Sequence, residues 1–274
     1  MNARPELAVV GVPVRATGRV ARLRPHLRGP VVTVVIVGIW WVLCDLHLWS
    51  AYVLPSPRRV WRSGVAMTMS GELPTHVATS FGRVLVGFAV AFGLAFVLGL
   101  MAVLIPGPNG FVAPVLGFLR NVPPLSLIPL LILWFGIGET AKLVVIVLTA
   151  FFPMYMNITK GLQACDQKLL DVGTSLHFSA ARKFFLIRLP SAVPDILVGM
   201  RISLSFAWRA LVGAEMIAAS SGLGYLILDA QEMSRSDKVI VGIIAIGTIG
   251  MLSDRLFSGL ARKALRWGTD DSWS

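Results

Sequence analysis

Charge is scarce in this chain. Asp, Glu, Lys and Arg make up 14% of its 274 residues, against about 25% in soluble domains. That excludes an ordinary water-soluble fold. Only two cysteines are present, Cys44 and Cys165. They fall on opposite sides of the membrane in the topology below, which argues against a disulfide, and neither has metal-ligand spacing. The four histidines, His26, His47, His76 and His177, lie far apart and form no HExxH pair. There is no G-x-x-x-x-G-K-[ST] loop to cradle ATP phosphates and no Gly-x-Ser-x-Gly elbow. Catalysis, ATP hydrolysis included, is therefore not expected of this chain. Strand-like alternation, internal repeats and low-complexity tracts are also missing, so no barrel competes.

What remains is apolar. Hydrophobic residues are 55% of the chain and the mean hydropathy is +0.75. At about 20 residues per span there is room for five or six membrane helices and no large soluble domain. The first span is expected over about Pro30–Trp49, with Trp40, Trp41 and Trp49 near its ends. Leu54-Pro55-Ser56-Pro57 breaks the helix ahead of a surface-lying amphipathic segment. The second span runs about Thr79–Ile105, where Gly87, Gly93 and Gly99 permit close helix approach. Pro106 to Gly110 is a turn. The third span, about Phe111–Phe135, cannot be continuous: Pro123 and Pro124 remove two amide donors and clash with the preceding turn. Broken backbone at membrane depth is tolerated only against protein or water, which turns this segment to the interior. The fourth, fifth and sixth spans are expected over about Ala141–Ile158, Asp195–Ala218 and Val239–Leu256, with a short segment through Asp237 dipping at the outer face.

The net charge of +11 suggests nucleic acid only until its distribution is read. Lys160, Lys168, Arg182, Lys183 and Arg188 lie in one polar stretch, and Arg255, Arg262, Lys263 and Arg266 near the other end. The stretch Met1–Gly29 carries six arginines against Glu6. This is the positive-inside pattern, reinforced by anionic lipid; it places both termini and the loop 159–194 in the cytoplasm and implies no nucleic-acid partner. The organisation is a basic N-terminal arm (1–29), a transmembrane domain (30–266) and a short tail (267–274). The apolar run from Val31 is too long for a signal peptide, and no small-residue cleavage site follows.

The polar stretch carries the sharpest motif: Asp171-Val172-Gly173-Thr174-Ser175-Leu176-His177, then Ile187-Arg188-Leu189-Pro190. An acid near a helix start suits the helix dipole, small Gly173 allows close approach, a turn falls at His177, and Pro190 stops the second helix. The pattern resembles the cytoplasmic coupling loop of ABC importer permeases. His177 stands where that family usually has glycine, and histidine tolerates a left-handed backbone better than most residues. Further stretches extend the likeness: Arg120-Asn121-Val122-Pro123-Pro124 through Gly138-Glu139, Ala214-Glu215-Met216, Ser220-Ser221-Gly222-Leu223-Gly224-Tyr225, and Leu54 to Pro57. They are similar to permeases for nitrate, taurine and aliphatic sulfonates, most of all the sulfonate branch.

The resemblance implies an all-α integral membrane protein of the type I (MetI-like) permease fold, in the inner or plasma membrane of a bacterium. It implies a second copy of the chain, two ATP-binding cassette subunits gripping the coupling loop, a periplasmic or lipid-anchored substrate-binding protein, and alternating access. ATP and Mg would be used by the ATPase; no cofactor is expected on this chain. The coupling residues would be Asp171, Val172, Gly173, His177, Ile187, Leu189 and Pro190. A charge in a span costs about 2.5–3.5 kcal/mol and is a functional suspect. Arg120, Arg201, Arg209 and Glu215 are the charges to weigh. Arg201, near the inner end, is expected to snorkel or to neutralise a neighbour. Arg209 and Glu215, six apart, are poorly placed to pair on one helix, so Arg209 is the better pathway charge for an anion. Arg120, Pro123, Pro124, Glu215, Gly222 and Gly224 complete the candidate path and gate. Rival cargoes are taurine, nitrate, bicarbonate, an aromatic acid or a pyrimidine. Rival classes are an ion-coupled secondary transporter and an intramembrane enzyme; the first would need buried acids, the second a nucleophile and base.

Overall fold

The computed structural model describes residues 25–46, 49–50, 52–105 and 109–265. Most of the basic arm, turn residues 106–108 and the tail from 266 onward lie outside them. Every regular element among the described residues is helical. The elements are α1 (Pro25–Asp45), α2 (Pro57–Met69), α3 (Glu72–Leu104), α4 (Asn109–Asn121), α5 (Ile128–Phe135), α6 (Glu139–Gln163), α7 (Gln167–Ser175), α8 (Ala180–Lys183), α9 (Leu189–Ala218), α10 (Leu223–Glu232) and α11 (Ser236–Ala264). Helix thus begins at Pro25, inside the stretch expected to be a loose arm.

Four described helical runs are long and apolar enough to cross a membrane: Glu72–Leu104, Glu139–Gln163, Ala180–Ala218 and Ser236–Ala264. A fifth is the pair 114–121 and 124–135, bent by 85°. With α1, whose apolar stretch Val34–Asp45 is shorter, these are the six expected segments. The bend falls at Pro123–Pro124, as the lost donors require; the chain passes it as a short 3-10 turn, Pro124–Leu127.

Helix α6 is the centre of the bundle, packed between α3 and α9. Its buried side, including Ile146, Ala150, Met154 and Ile158, meets small residues of α3 at four-residue spacing, Gly87, Ala91, Ala95 and Gly99. A Cβ on Gly87 would come within 2.6 Å of Ile146 Cγ2, and one on Gly99 within 2.9 Å of Ile158 Cγ2. Apolar lipid offers helices no hydrophobic reason to associate, so close packing of small residues supplies the attraction. Gly93 does not share this role, since open space surrounds it. Along α3 and α11 the exposed surface carries many large apolar residues, such as Leu85, Val97, Ile243 and Leu256, as a lipid-facing surface requires; the exposed charges Arg255, Arg262 and Lys263 lie toward the end of α11.

One expectation fails. Pro190 does not stop a helix. Ala180–Ala218 is one helical run, and Pro190 lies at the first turn of its α9 segment. The run passes the proline because Phe184–Arg188 is a π-helical turn, with the Leu189 N–H donating to the Phe184 carbonyl five residues back. That wider register reorganises the ladder at the point where proline has no donor to give.

Candidate functional site

The bundle has two ends worth building from the residues up. At one end lie the starts of α3, α6 and α11 and the turn between α9 and α10. Within the first four turns of α3, His76, Ser80 and Arg83 fall at spacings of four and three, hence on one face. They meet Glu215 of α9, Glu139 and Lys142 of α6, and the turn 219–222. Arg83 uses all five of its donors. Nε and Nη2 reach the Glu139 carboxylate at 2.7 and 2.6 Å, Nη1 reaches Glu215 at 2.7 Å and the Ser221 carbonyl at 2.6 Å, and Nη2 reaches Ser221 Oγ at 3.1 Å. Glu215 is fully buried. It also accepts from Ser80 Oγ at 2.8 Å and from the Gly224 N–H at 2.9 Å. Lys142 Nζ lies 2.7 Å from Glu139. Two cations thus face two carboxylates; the buried Arg83 and Glu215 each keep several partners, the condition under which buried charge is tolerated.

The turn is clamped by the same groups. The Gly222 N–H donates to His76 Nδ1 at 3.0 Å and the Leu223 N–H to Ser80 Oγ at 2.8 Å. Gly222 has φ +112°, and a Cβ there would overlap the Glu215 carboxylate. A Cβ on Gly224 would sit 2.7 Å from Glu215 Cβ. Gly222 is therefore dictated by contact with Glu215, and Gly224 by contact with Glu215 together with the Val212 carbonyl, which a Cβ would approach to 2.5 Å. Beyond the turn, Asp229 accepts from the Tyr225 hydroxyl at 3.3 Å, and its charge raises the Tyr225 phenol above its usual value.

Glu215 does not line an open path or face a partner here; it braces the turn from inside. Arg83, Ser80, His76, Glu139 and Lys142 were not among the sequence candidates. The signal for Arg83 was available: it is a lone charge inside the apolar run of α3, two turns after His76 on the same face.

At the opposite end α7 and α8 form a helical hairpin. Asp166, not Asp171, caps α7, accepting from the Lys168 N–H at 2.9 Å. Asp171 is one turn further on, exposed, and accepts from Gln167 Nε2 at 3.0 Å. The turn sits at His177, with φ +55°. The Phe178 N–H donates to the Gly173 carbonyl and the His177 N–H to the Thr174 carbonyl, both at 2.9 Å. This is a Schellman ending with histidine in the place glycine favours. Gly173 is buried, and a Cβ there would lie 2.7 Å from Ile187 Cδ1 and 3.2 Å from Lys183 Cγ. Its smallness brings the two arms of the hairpin together. Val172, Leu176 and Leu186 are exposed; with Leu169, Phe178, Ile187 and Pro190 they border an apolar groove of about 510 Å³. Leu189 instead packs against the core.

The remaining span charges separate. Arg201 neutralises a neighbour: it grips Asp254 of α11 through Nε and Nη2 at 2.8 and 3.0 Å. Arg120, beside the bend at Pro123 and Pro124, is exposed and reaches Met156 Sδ at 3.3 Å. Arg209 is exposed and has no carboxylate within ion-pair distance among the described residues; its guanidinium lies 5.2 Å from the Phe206 ring centre. It borders a cavity of about 490 Å³ between α9 and α11. No group of His, Cys, Asp or Glu able to hold a metal occurs among the described residues.

Comparison with known proteins gives this helical bundle, with its hairpin at one end and its clamped turn at the other, a family. Residues 95–266 match the family described as binding-protein-dependent transport system inner membrane component. The chain belongs to that family, the ABC importer permeases, and is a multi-pass membrane protein; its relatives are transport subunits whose ATPase is a separate polypeptide. It is 39% identical to the aliphatic sulfonates transport permease protein SsuC of Bacillus subtilis (strain 168), over 88% of this chain and 87% of that one. It is also 39% identical to SsuC of Escherichia coli K12, over 85% and 88%, and 35% identical to the taurine transport system permease protein TauC of the same organism, over 85% and 86%. A crystal structure of an amino acid ABC transporter with histidines superposes with a TM-score of 0.58, over 74% of this chain and 97% of its own, at 17% identity. That likeness shows the shared fold.

Proposed function

We propose that this chain forms the translocation path of an ATP-driven importer for aliphatic sulfonates. The observation that carries the cargo is the 39% identity to two sulfonate permeases across nearly the whole chain. An arginine without a carboxylate partner beside a cavity at span depth supports an anion. Two copies of the chain would form the path. A binding protein would deliver the substrate, and two cassette ATPases, using ATP and Mg, would drive the switch between inward-open and outward-open states.

The α7–α8 hairpin is the part we assign to the ATPase. Val172, Leu176 and Leu186 present an apolar face beside Lys168, Arg182 and Arg188. A short, rigid helix offering apolar anchors to a groove is a recurrent docking mode. The basic residues support a cytoplasmic position for this end and for both termini. The clamped turn at Ser220–Gly224 would then lie on the outer side, as part of the gate.

The test is reconstitution. The chain is purified with its co-expressed ATPase, and sulfonate-loaded binding protein is added to the complex in liposomes. ATP-dependent uptake of alkanesulfonate establishes the reading. Uptake of taurine or nitrate without sulfonate would move the cargo to the related branches, to whose members the chain is 35% and 30% identical. A chain that transports without any ATPase would overturn the machine itself.

A further inference from the structure

Arg209 stands apart from the other charges of the spans. The four long runs carry six carboxylates: Glu72, Glu139, Asp195, Glu215, Asp237 and Asp254. Each already has a cation: Lys238 on Glu72, Arg83 and Lys142 on Glu139, Lys160 on Asp195, Arg83 on Glu215, Arg235 on Asp237, and Arg201 on Asp254. A second copy of the chain therefore brings no spare carboxylate from these helices to neutralise Arg209. Arg209 lies six residues from Glu215 and eight from Arg201, so it sits about 9 Å and 12 Å along the helix from charges that are satisfied. Arg255, also without an ion pair, lies toward the basic end of α11, next to Arg262 and Lys263, where a long side chain can reach the interface.

The surroundings of Arg209 form a site. The cavity of about 490 Å³ between α9 and α11 is bordered by Arg209, Trp208, Ser205, Gly247, Gly250 and Asp254, and its volume suits a small molecule. Its charges are Arg209, the Arg201–Asp254 pair at one edge, and no further acid, which leaves one net positive charge. Ser205 Oγ is held only by a 3.5 Å contact to the Arg201 carbonyl, so its hydroxyl can turn to a ligand. A Cβ on Gly247 or Gly250 would meet nothing within 4 Å, so these glycines leave room in the wall rather than tightening a helix contact. Trp208, Val212 and Ile246 provide apolar surface.

We infer that the α9–α11 cavity is a transient binding site for the transported anion, with the sulfonate on Arg209 and Ser205 and the alkyl tail along Trp208 and the wall at Gly247 and Gly250. This rests on the proposed sulfonate import. A sulfonate is charged at all relevant pH values, accepts hydrogen bonds through three oxygens and donates none. The guanidinium fork matches such a group with two parallel bonds, where an ammonium offers a point charge. A site with one cation and few donors also binds weakly enough to release its cargo, as a pathway needs.

The experiment uses the complete importer in liposomes, with saturating loaded binding protein, and compares ethanesulfonate with hexanesulfonate. Arg209→Gln is expected to lower uptake of both at least tenfold while binding-protein-stimulated ATP hydrolysis persists, and Arg209→Lys to restore at least a third of the wild-type rate. Gly250→Leu, whose Cβ would meet nothing within 4 Å and whose side chain would narrow the wall, is expected to lower hexanesulfonate uptake at least fivefold more than ethanesulfonate uptake. Wild-type uptake by Arg209→Gln, or an equal loss of both sulfonates in Gly250→Leu, would overturn the site and leave the sulfonate reading intact. Absence of sulfonate uptake by the wild-type complex would overturn the cargo reading, and the site as a sulfonate site with it.

Discussion

The two ends of the bundle solve opposite problems. At the end built around Arg83 and Glu215, polar groups are abundant and paired, and these two charges are buried: five donors of one arginine find five acceptors, and two turn amides find side-chain partners. At the hairpin end, apolar side chains are exposed over a groove and the basic residues have few partners. The first end is complete within one chain. The second is shaped to be covered. A buried charge network is costly to leave half made, so it suits a part that must hold one geometry. An apolar projection gains by being buried later, so it suits a part that must be gripped.

The largest effect should come from breaking the paired end. Glu215→Ala leaves Arg83 buried with one carboxylate fewer and removes the acceptor of the Gly224 N–H. A loss of about 3–5 kcal/mol is expected, read as a collapse of thermal stability and yield in detergent. A stability close to wild type would mean that water takes over the role of the carboxylate.

Next comes Gly173→Trp at the hairpin end. The indole would meet Ile187 Cδ1 and Lys183 within van der Waals distance and splay the hairpin. Insertion in the membrane should survive, while co-purification with the ATPase falls at least tenfold. Retained co-purification would show that the ATPase grips something other than the hairpin.

His177→Gly should act in the other direction and more weakly. A non-glycine left-handed residue costs about 1–2 kcal/mol, part of which glycine returns as unfolded-state entropy. A gain of about 1 kcal/mol or less in local stability is expected, visible as slower amide exchange at Phe178. Faster exchange would mean that the imidazole makes a stabilising contact. The smallest effect belongs to Lys160→Ala, whose partner is Asp195 at 2.9 Å but whose side chain is 71% exposed. A change below about 1 kcal/mol is expected, and its salt dependence should vanish in the variant.

Much of this was legible in the chain. The break at Pro123–Pro124 follows from two missing donors, the turn at His177 from the spacing of the motif, and the separation of Arg209 from Glu215 from helical periodicity. The failures have physical causes. Pro190 reads as a stop because proline cannot donate, yet a π turn, invisible in composition, carries the helix past it. Asp171 reads as lying near a helix start because the motif is counted from it, while the backbone starts α7 one turn earlier, after its cap Asp166. Arg201 reads as a side chain that snorkels or neutralises a neighbour, and only the packing of α11, which brings Asp254 beside it, decides between the two.

The sequence by itself determined a membrane-spanning helical protein, the position of its hairpin and the family to which it belongs, because hydropathy, proline and turn residues act locally along the chain. Only the tertiary structure decided which charges are satisfied. Arg83, Glu139 and Glu215 come from three helices, with 56 residues between the first two and 76 between the last two. Whether a charge is paired depends on distances of a few ångströms across the bundle, which no local pattern encodes. The same packing that paired those three left Arg209 without a carboxylate at the edge of a cavity.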